Sequence, residues 1–496
     1  EIADFVQIFN KIKTHYVESL SDREIMERAF HGMATHLDPH SAFLNKEAYA
    51  QLKENTSGKF GGIGIEIGSF EGKFIIIAPI DGSPAAEAGV LSGDIITKVD
   101  NSPVSGLGIE DLSRQIKGPP GSTVTLTIDR KGKKGSMQLK VSRKIMDNDS
   151  VAIESFPSGI IYLRISQFQQ KTGKELERKF NETIEEVSQK PRGIILDLRN
   201  NPGGVLNGAI EVSDAFLEKG AITFTKGRQS DSNQKFFASK KVIAKSAPLL
   251  VLINEGSASA SEILAAALQD YKRAIILGSE QTFGKGTVQN VIDLNRIISG
   301  GTHGDLGAVK VTTDKFYRIN GGSTQLEGVR SDIVLKNQYS YIEVGEKDQE
   351  NPLTWDKIEP TRYKQWGNQT NFDYALSQSE NRLKDDPYIQ IIEQQARRIE
   401  TQQDNYVFTL NYDDYLIERD INKKITDKFS VLKDYKSDLT FEWSLDPGLP
   451  VDDTVKERKN RWIEALERDF YISEAVNVLE DLNINLENYP IAQIKK

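Results

Sequence analysis

The hydrophobic positions along this chain follow four different rhythms. Near the start, residues 1 to about 56 read as helical, with Ile8, Phe9 and Ile12 at helical spacing, and Asp38-Pro39 ends one helix, because proline cannot sit in a helix interior. From Gly58 to Lys144 the pattern becomes that of short strands. Gly61-Gly62-Ile63-Gly64 leads into an alternating run, and Phe74 to Ala78, Asp94 to Val99 and Val124 to Ile128 predict further strands. Turns fall at Asp81-Gly82-Ser83-Pro84 and Pro119-Pro120-Gly121, and Ile109 to Ile116 predicts a helix.

A third rhythm consists of unbroken apolar runs. Ile160 to Ile165, Ile194 to Leu198, Leu249 to Ile253 and Ala274 to Leu277 predict strands buried on both faces. They alternate with helices predicted over Thr172 to Val187 and Leu206 to Leu217, so a sheet layered with helices is expected. Thr172 and Glu175 have the spacing of a capping box. After Val344 the chain turns to Gln, Asp, Glu, Lys and Asn with scattered aromatics, and polar amphipathic helices are predicted over Glu380 to Thr401 and Thr454 to Arg468. The expected organisation is a multi-domain α+β chain. A helical N-terminal region (1–56), a β-rich module (57–145), an α/β core (146–345) and a helical C-terminal domain (346–496) follow in order.

Composition narrows the function classes. A chain of 496 residues has room for three or four domains. No stretch of 18 or more apolar residues exists, so no transmembrane segment is expected. With no cysteine, disulfides and thiol catalysis are excluded. A balance of 63 basic against 72 acidic residues, net −9, argues against a general nucleic-acid binder. Glu1-Ile2-Ala3-Asp4 does not read as a signal peptide, so any export signal is expected to have been removed or not included. The five histidines are His15, His31, His36, His40 and His303. Asp38-Pro39 breaks the helix that would align His36 with His40, and no metal or cofactor is called for. His303 lies in a glycine-rich loop and is expected to be exposed.

Three segments carry candidate chemistry. In the first, the apolar run ending at Ile253 breaks at Asn254-Glu255-Gly256, and helix formers follow from Ser261 to Leu268. Ser259 therefore sits at a helix N-terminus, where backbone N–H groups and the dipole favour an oxyanion. The commoner use of such a serine is as N-cap, with Glu262 at the third helical position. The second segment, Thr282-Phe283-Gly284-Lys285-Gly286, places a lysine between glycines. If the chain is extended from Lys285 to Gln289, positions 285, 287 and 289 share a face, and the Gln289 carboxamide oxygen can hold the Lys285 amine. The bland alternative is a turn with a solvated lysine. In the third, Asp197-Leu198-Arg199-Asn200-Asn201-Pro202-Gly203-Gly204 ends a strand in a turn whose glycines expose N–H groups. A serine beside a desolvated lysine is a nucleophile with its own base.

Together these segments resemble the carboxy-terminal processing peptidases, and most closely the bacterial tail-specific proteases. Leu268-Gln269-Asp270-Tyr271, Phe316-Tyr317-Arg318-Ile319-Asn320-Gly321-Gly322 and Gly328-Val329-Arg330-Ser331-Asp332 extend the likeness, which runs from about residue 20 to the end. The resemblance implies a serine endopeptidase with Ser259 as nucleophile, Lys285 as general base and Gln289 orienting the lysine. Backbone N–H groups of Ala260 and of Gly203 or Gly204 would form the oxyanion hole. Glu262 and Asp270 are candidate supporting residues; the plain role for Asp270 is a salt bridge, with Lys272 or Arg273. The β-rich module resembles a PDZ domain, which implies that Gly62, Ile63 and Gly64 present N–H groups to a peptide carboxylate while Ile65 and Ile116 line an apolar pocket. The core resembles the layered sheet of crotonase-like enzymes, and the C-terminal region the extra helical region of tail-specific proteases. Implied partners are protein substrates chosen by their C-termini, a lipoprotein adaptor and further copies of the chain, in a bacterial periplasm. Two rivals remain: a catalytically silent PDZ scaffold, and an enoyl-CoA-type enzyme, which would need a catalytic acid and a CoA pocket.

Overall fold

The computed structural model describes all residues except 71, 81, 230–232, 240–241, 298–304, 367–368, 404–406, 408, 441–452 and 485–496. Asp81 and His303 therefore lie outside the described residues. The chain divides into two compact units: one takes in, of the described residues, 1–56, 150–440 and 467–484, the other 57–149 and 453–466.

The larger unit is built on a six-stranded sheet, in the order Val151–Ser155, Ile160–Ile165, Gly193–Asp197, Leu249–Ile253, Ala274–Gly278 and Ile333–Val334. The first pair is antiparallel and the others are parallel. Successive strand residues face opposite sides, and both sides here are covered. Ile194, Leu196, Val251 and Ile276 join one core with the helices Thr172–Val187, Leu206–Phe216 and Ala260–Asp270. Ile195, Leu250, Leu252, Ile275 and Leu277 point the other way and are equally buried. On that side lies the helix Phe470–Leu482, with Leu479 against Gly193. Arg199 fastens this helix by joining the buried Asp197 (2.6 Å) to its N-cap, Asp469 (2.8 Å).

A second, five-stranded sheet contains Ala42–Leu44, Ala221–Gly227, Gln234–Phe237, Thr287–Asp293 and Ala308–Tyr317. The smaller unit is a β-module, with a sheet ordered Ile65–Phe70, Lys73–Pro79, Ile95–Val99, Thr123–Asp129 and Met137–Ser142 around its own apolar core, and the helix Ile109–Ile116. This is the mixed architecture expected: a helix-rich start, a PDZ-type module, an α/β core and further helices towards the end.

Two local expectations are corrected. The capping box of Thr172 and Glu175 is absent: Lys171 is the N-cap, and the Glu175 carboxylate instead accepts from Ser150 and Val151. The helix expected over Glu380 to Thr401 is two helices, Gln369–Lys384 and Pro387–Gln403. Pro387 has no N–H to continue the first, and Asp386 caps the second through Tyr388 and Ile389. The helix Ile2–His15 buries none of its residues, so Ile2, Phe5, Val6, Ile8 and Ile12 are exposed.

If the helix Phe470–Leu482 is a true layer of the core, Leu479→Ala lowers stability by about 2–5 kcal/mol. Denaturant unfolding followed by core fluorescence measures this; an unchanged midpoint would mean that the sheet face does not depend on the helix.

Candidate active site

Three neighbouring parallel strands end on the same edge of the sheet, where open α/β sheets place their ligands. Gly193–Asp197 runs into residues 198–204, Leu249–Ile253 into 254–259 and Ala274–Gly278 into 279–286. The three loops are stitched together. The Asn201 carbonyl accepts the Ala258 N–H (3.0 Å) and the Ser261 hydroxyl (2.9 Å), and the Leu198 carbonyl accepts the Ser257 hydroxyl (2.8 Å). Phe283 N–H donates to the Ser257 carbonyl at 3.0 Å.

Ser259 stands immediately before the helix Ala260–Asp270 with φ 54° and ψ −108°, a strained conformation for a residue with a Cβ. Its hydroxyl makes no cap hydrogen bond to the helix end. The Glu262 half of the expected capping box does form, as its Oε2 takes the Ser259 N–H at 2.6 Å. The same oxygen takes the Lys285 N–H at 2.9 Å, while Oε1 takes the Gly284 N–H (2.8 Å) and the Thr282 hydroxyl (2.6 Å). Burial outweighs the opposing pull of these four donors and leaves the Glu262 carboxyl raised to about 8. With every lone-pair position facing a donor, the site is built for the carboxylate.

The Lys285 amine donates to Gln289 Oε1 at 2.7 Å, as the shared-face argument expects, although the regular strand begins only at Thr287. Lys285 is half-buried as a residue, but its amine is enclosed by protein. Burial first, then repulsion from Lys310, brings it down to about 8, against the pull of Glu346, Glu262 and Asp38. Lys285 and Ser259 thus share a backbone anchor, but no hydrogen bond joins the Lys285 amine to the Ser259 hydroxyl among the described residues.

Gly203 (φ 97°) and Gly204 (φ 138°) pass too close to their neighbours for any side chain. A Cβ on Gly203 would stand 2.9 Å from Ser259 Cβ and from Ala260 N, and one on Gly204 would stand 2.1 Å from the Phe168 carbonyl oxygen. The Gly203 N–H already donates to Asn201 Oδ1 at 2.9 Å. Among the described residues no hydrogen bond takes the N–H of Gly204 or of Ala260.

Asp270 lies at the other end of the helix that Ser259 precedes, about 16 Å along it at 1.5 Å per residue. It does form a salt bridge, but with Arg318 (2.6 Å), helped by Asn320 (3.1 Å), and not with Lys272 or Arg273. Lys272 turns back after the helix with φ 51°, and Arg273 spends its guanidinium on the Phe216 and Ala244 carbonyls. Sequence reasoning gave no site role to Asp38, Thr282, Thr312 or Gln325; Asp38, Thr312 and Gln325 reach this site through tertiary pairing, whereas Thr282 lies in the Lys285 loop itself. The acceptor-rich Asp38-x-x-Ser41 turn was the one local signal.

In the smaller unit Gly62 is paired with Lys144 in a two-stranded ladder. The carbonyls of Ile63 and Gly64 are used by Ala85 and by Ile80, and among the described residues nothing takes the N–H groups of Ile63 and Gly64. The edge strand Ile65–Phe70 has its outer side unpaired among the described residues. Ile65 is half-buried, whereas Ile63 and Ile116 are part of the core.

A strained serine and an enclosed lysine thus stand at the carboxyl ends of adjacent parallel strands. Residues 159–335 match the model of peptidase family S41, residues 339–483 that of the C-terminal domain of tail specific protease, and residues 75–130 that of the PDZ domain. The chain is 40% identical over 337 residues to the carboxy-terminal-processing protease of Bartonella bacilliformis, covering 68% of this chain and 75% of that protein. It is 32% identical over 328 residues to the carboxy-terminal processing protease CtpA of Bacillus subtilis, covering 66% and 67%. With the tail-specific protease of Haemophilus influenzae it shares 32% over 412 residues, covering 78% of this chain and 57% of that one. The chain belongs to the carboxy-terminal processing protease family, as its motifs led us to expect.

Replacing Glu262 by Gln turns one acceptor oxygen into a donor facing two donors. We expect a loss of about 2–6 kcal/mol, from two buried groups left unsatisfied at 1–3 kcal/mol each, read from denaturant unfolding. A variant as stable as the intact chain would remove Glu262 from this role.

Proposed function

We propose that this chain is a serine endopeptidase that selects unfolded proteins by apolar C-terminal tails and works in the periplasm. Ser259 is the nucleophile and Lys285 its base. The observation that carries this is the pairing of a strained serine with a lysine whose amine is enclosed and held by Gln289, both backbones anchored on Glu262.

Neutral Lys285 takes the proton of Ser259 as the hydroxyl oxygen bonds to the peptide carbonyl carbon. The oxyanion is received by the unoccupied N–H groups of Gly204 and Ala260. Lys285 then hands its proton to the departing amine as the C–N bond breaks, leaving an acyl-enzyme on Ser259. Water attacks that ester, giving a proton to Lys285, which passes it to the Ser259 oxygen as the ester C–O bond breaks and the acid is released. The Lys285–Ser259 contact, open here, closes as substrate enters, as catalytic hydrogen bonds commonly tighten in the Michaelis complex. A substrate tail pairs along Ile65–Phe70 with its carboxylate on the N–H groups of Ile63 and Gly64.

Cleavage of an unfolded protein with an apolar tail, beside one ending in Asp-Asp, tests both halves. Tail-dependent cutting that disappears in Ser259→Ala and Lys285→Ala is expected; tail-dependent binding that both variants leave unchanged, with no cutting, would point to a scaffold.

The lysine's position also sets a pH dependence. Its folded value, about 8, lies below its ordinary 10.5, so the neutral base accumulates above pH 8 and kcat/KM should rise through that point. The same shift makes protonated Lys285 a stability cost that is full below pH 8 and fades as pH climbs towards 10.5. Lys285→Met should therefore abolish cleavage while raising Tm at pH 7; a lower Tm would show that the charge is well solvated.

A further inference from the structure

Gln289 holds the lysine, and the first turn after the N-terminal helices holds Gln289. The strand Thr287–Asp293 pairs along one edge of Ala308–Tyr317, with a register shift at Val288/Gln289 that sets Gln289 opposite Thr312. The other edge of Ala308–Tyr317 has two partners: Ala42–Leu44 covers Ala308 to Lys310, and Ala221–Gly227 covers Asp314 to Tyr317. Neither covers 311–313, and residues 38–41 fill that break. Ser41 Oγ accepts the Thr312 N–H (3.1 Å) and donates to Asp38 Oδ2 (2.6 Å). Asp38 Oδ1 accepts the N–H groups of His40 (2.9 Å) and Ser41 (3.0 Å) and the Thr312 hydroxyl (3.0 Å).

Directions follow from chemistry. A carboxylate only accepts, so Thr312 must give its hydroxyl hydrogen to Asp38 and keep its lone pairs for a donor. That donor is Gln289 Nε2, 3.0 Å away, which also reaches Thr287 Oγ1 at 2.9 Å. With its nitrogen committed there, the carboxamide can present only its oxygen to Lys285. We propose that Asp38, acting through Thr312, is a positioning residue for the catalytic lysine: it locks the Gln289 carboxamide oxygen-first towards Lys285. The proposal rests on the Ser259–Lys285 reading.

Asp38 is buried; burial pushes its carboxyl up, but the hydrogen bonds from Ser41, His40 and Thr312 outweigh this and hold it below the ordinary value. The charged groups facing Lys285 are Lys310, Glu346, Glu262 and Asp38. A second tie from the same turn runs from His40 to Glu346 (2.6 Å), on to Gln325 (3.0 Å) and the N–H of Gly286 (2.8 Å), beside the lysine.

The test is kcat/KM against pH for the full chain, with Asp38→Asn, Thr312→Val and Thr312→Ser beside Ser259→Ala and Lys285→Ala. Thr312→Val removes the relay without removing a charge, which guards against a folding defect peculiar to Asp38→Asn. Freed to turn its NH2 on the amine, Gln289 would no longer stabilise the ammonium. We expect both relay-breaking variants to lose at least about ten-fold at the plateau, a part of the 10²–10⁴ that a placed base contributes, with the acid limb moved to lower pH and Thr312→Ser retaining most of the rate. A plateau within two-fold of the intact chain in both variants would overturn the proposal. So would a lowered plateau with an unmoved limb, or a Thr312→Ser loss equal to that of Thr312→Val. Cleavage surviving in Ser259→Ala or Lys285→Ala would instead overturn the dyad.

Discussion

One buried carboxylate decides whether this site exists. Glu262 sits in the first turn of its helix, and its two oxygens gather backbone from two different loops: the residue before the helix, and the Gly284-Lys285 segment that follows the neighbouring strand. Strands pair at about 4.8 Å, which brings the two loops near each other but does not align them. A single charge accepting from both does. It also supports the unfavourable backbone of Ser259, whose strain persists only while its surroundings over-determine it. Because the charge is used up in four short hydrogen bonds, it raises the affinity of Lys285 for its proton less than a bare carboxylate would, and burial prevails.

The site is a balance of solvation against charge. Around Lys285 lie three carboxylates and one further lysine, an arrangement that in water would keep the amine charged. Enclosure works against that charge and brings the amine down to about 8. A group so placed costs folding stability, and such costs cluster where residues are held for chemistry.

Much of this was legible along the chain because it is written in short-range terms. The uninterrupted runs around Ile195, Val251 and Ile276 announced strands buried on both faces, and the break at Asn254-Glu255-Gly256 announced a turn before a helix. The alternation from Lys285 to Gln289 foretold their contact. What escaped depended on distant pairing. Asp38 and Thr312 are 274 residues apart, and nothing in either neighbourhood says that a gap in a sheet edge brings them together. The Arg318 partner of Asp270 was missed for the same reason, since nearness in sequence favoured Lys272 and Arg273. The Thr172–Glu175 box failed because the buried N–H groups of Ser150 and Val151 competed for the same carboxylate.

The helix Phe470–Leu482 closes one face of a sheet whose strands end by Val334. On a ribosome adding 5–20 residues per second, the stretch from Gly193 to Leu482 takes roughly 15–60 seconds to appear. For that interval the side of the sheet carrying Ile195, Leu252 and Leu277 has no cover of its own, and Arg199 lacks Asp469. Order of synthesis thus becomes a form of latency: a peptidase whose core is completed by a helix more than 130 residues beyond the last strand of its sheet stays unfinished, and in need of protection from aggregation, until that helix has been made.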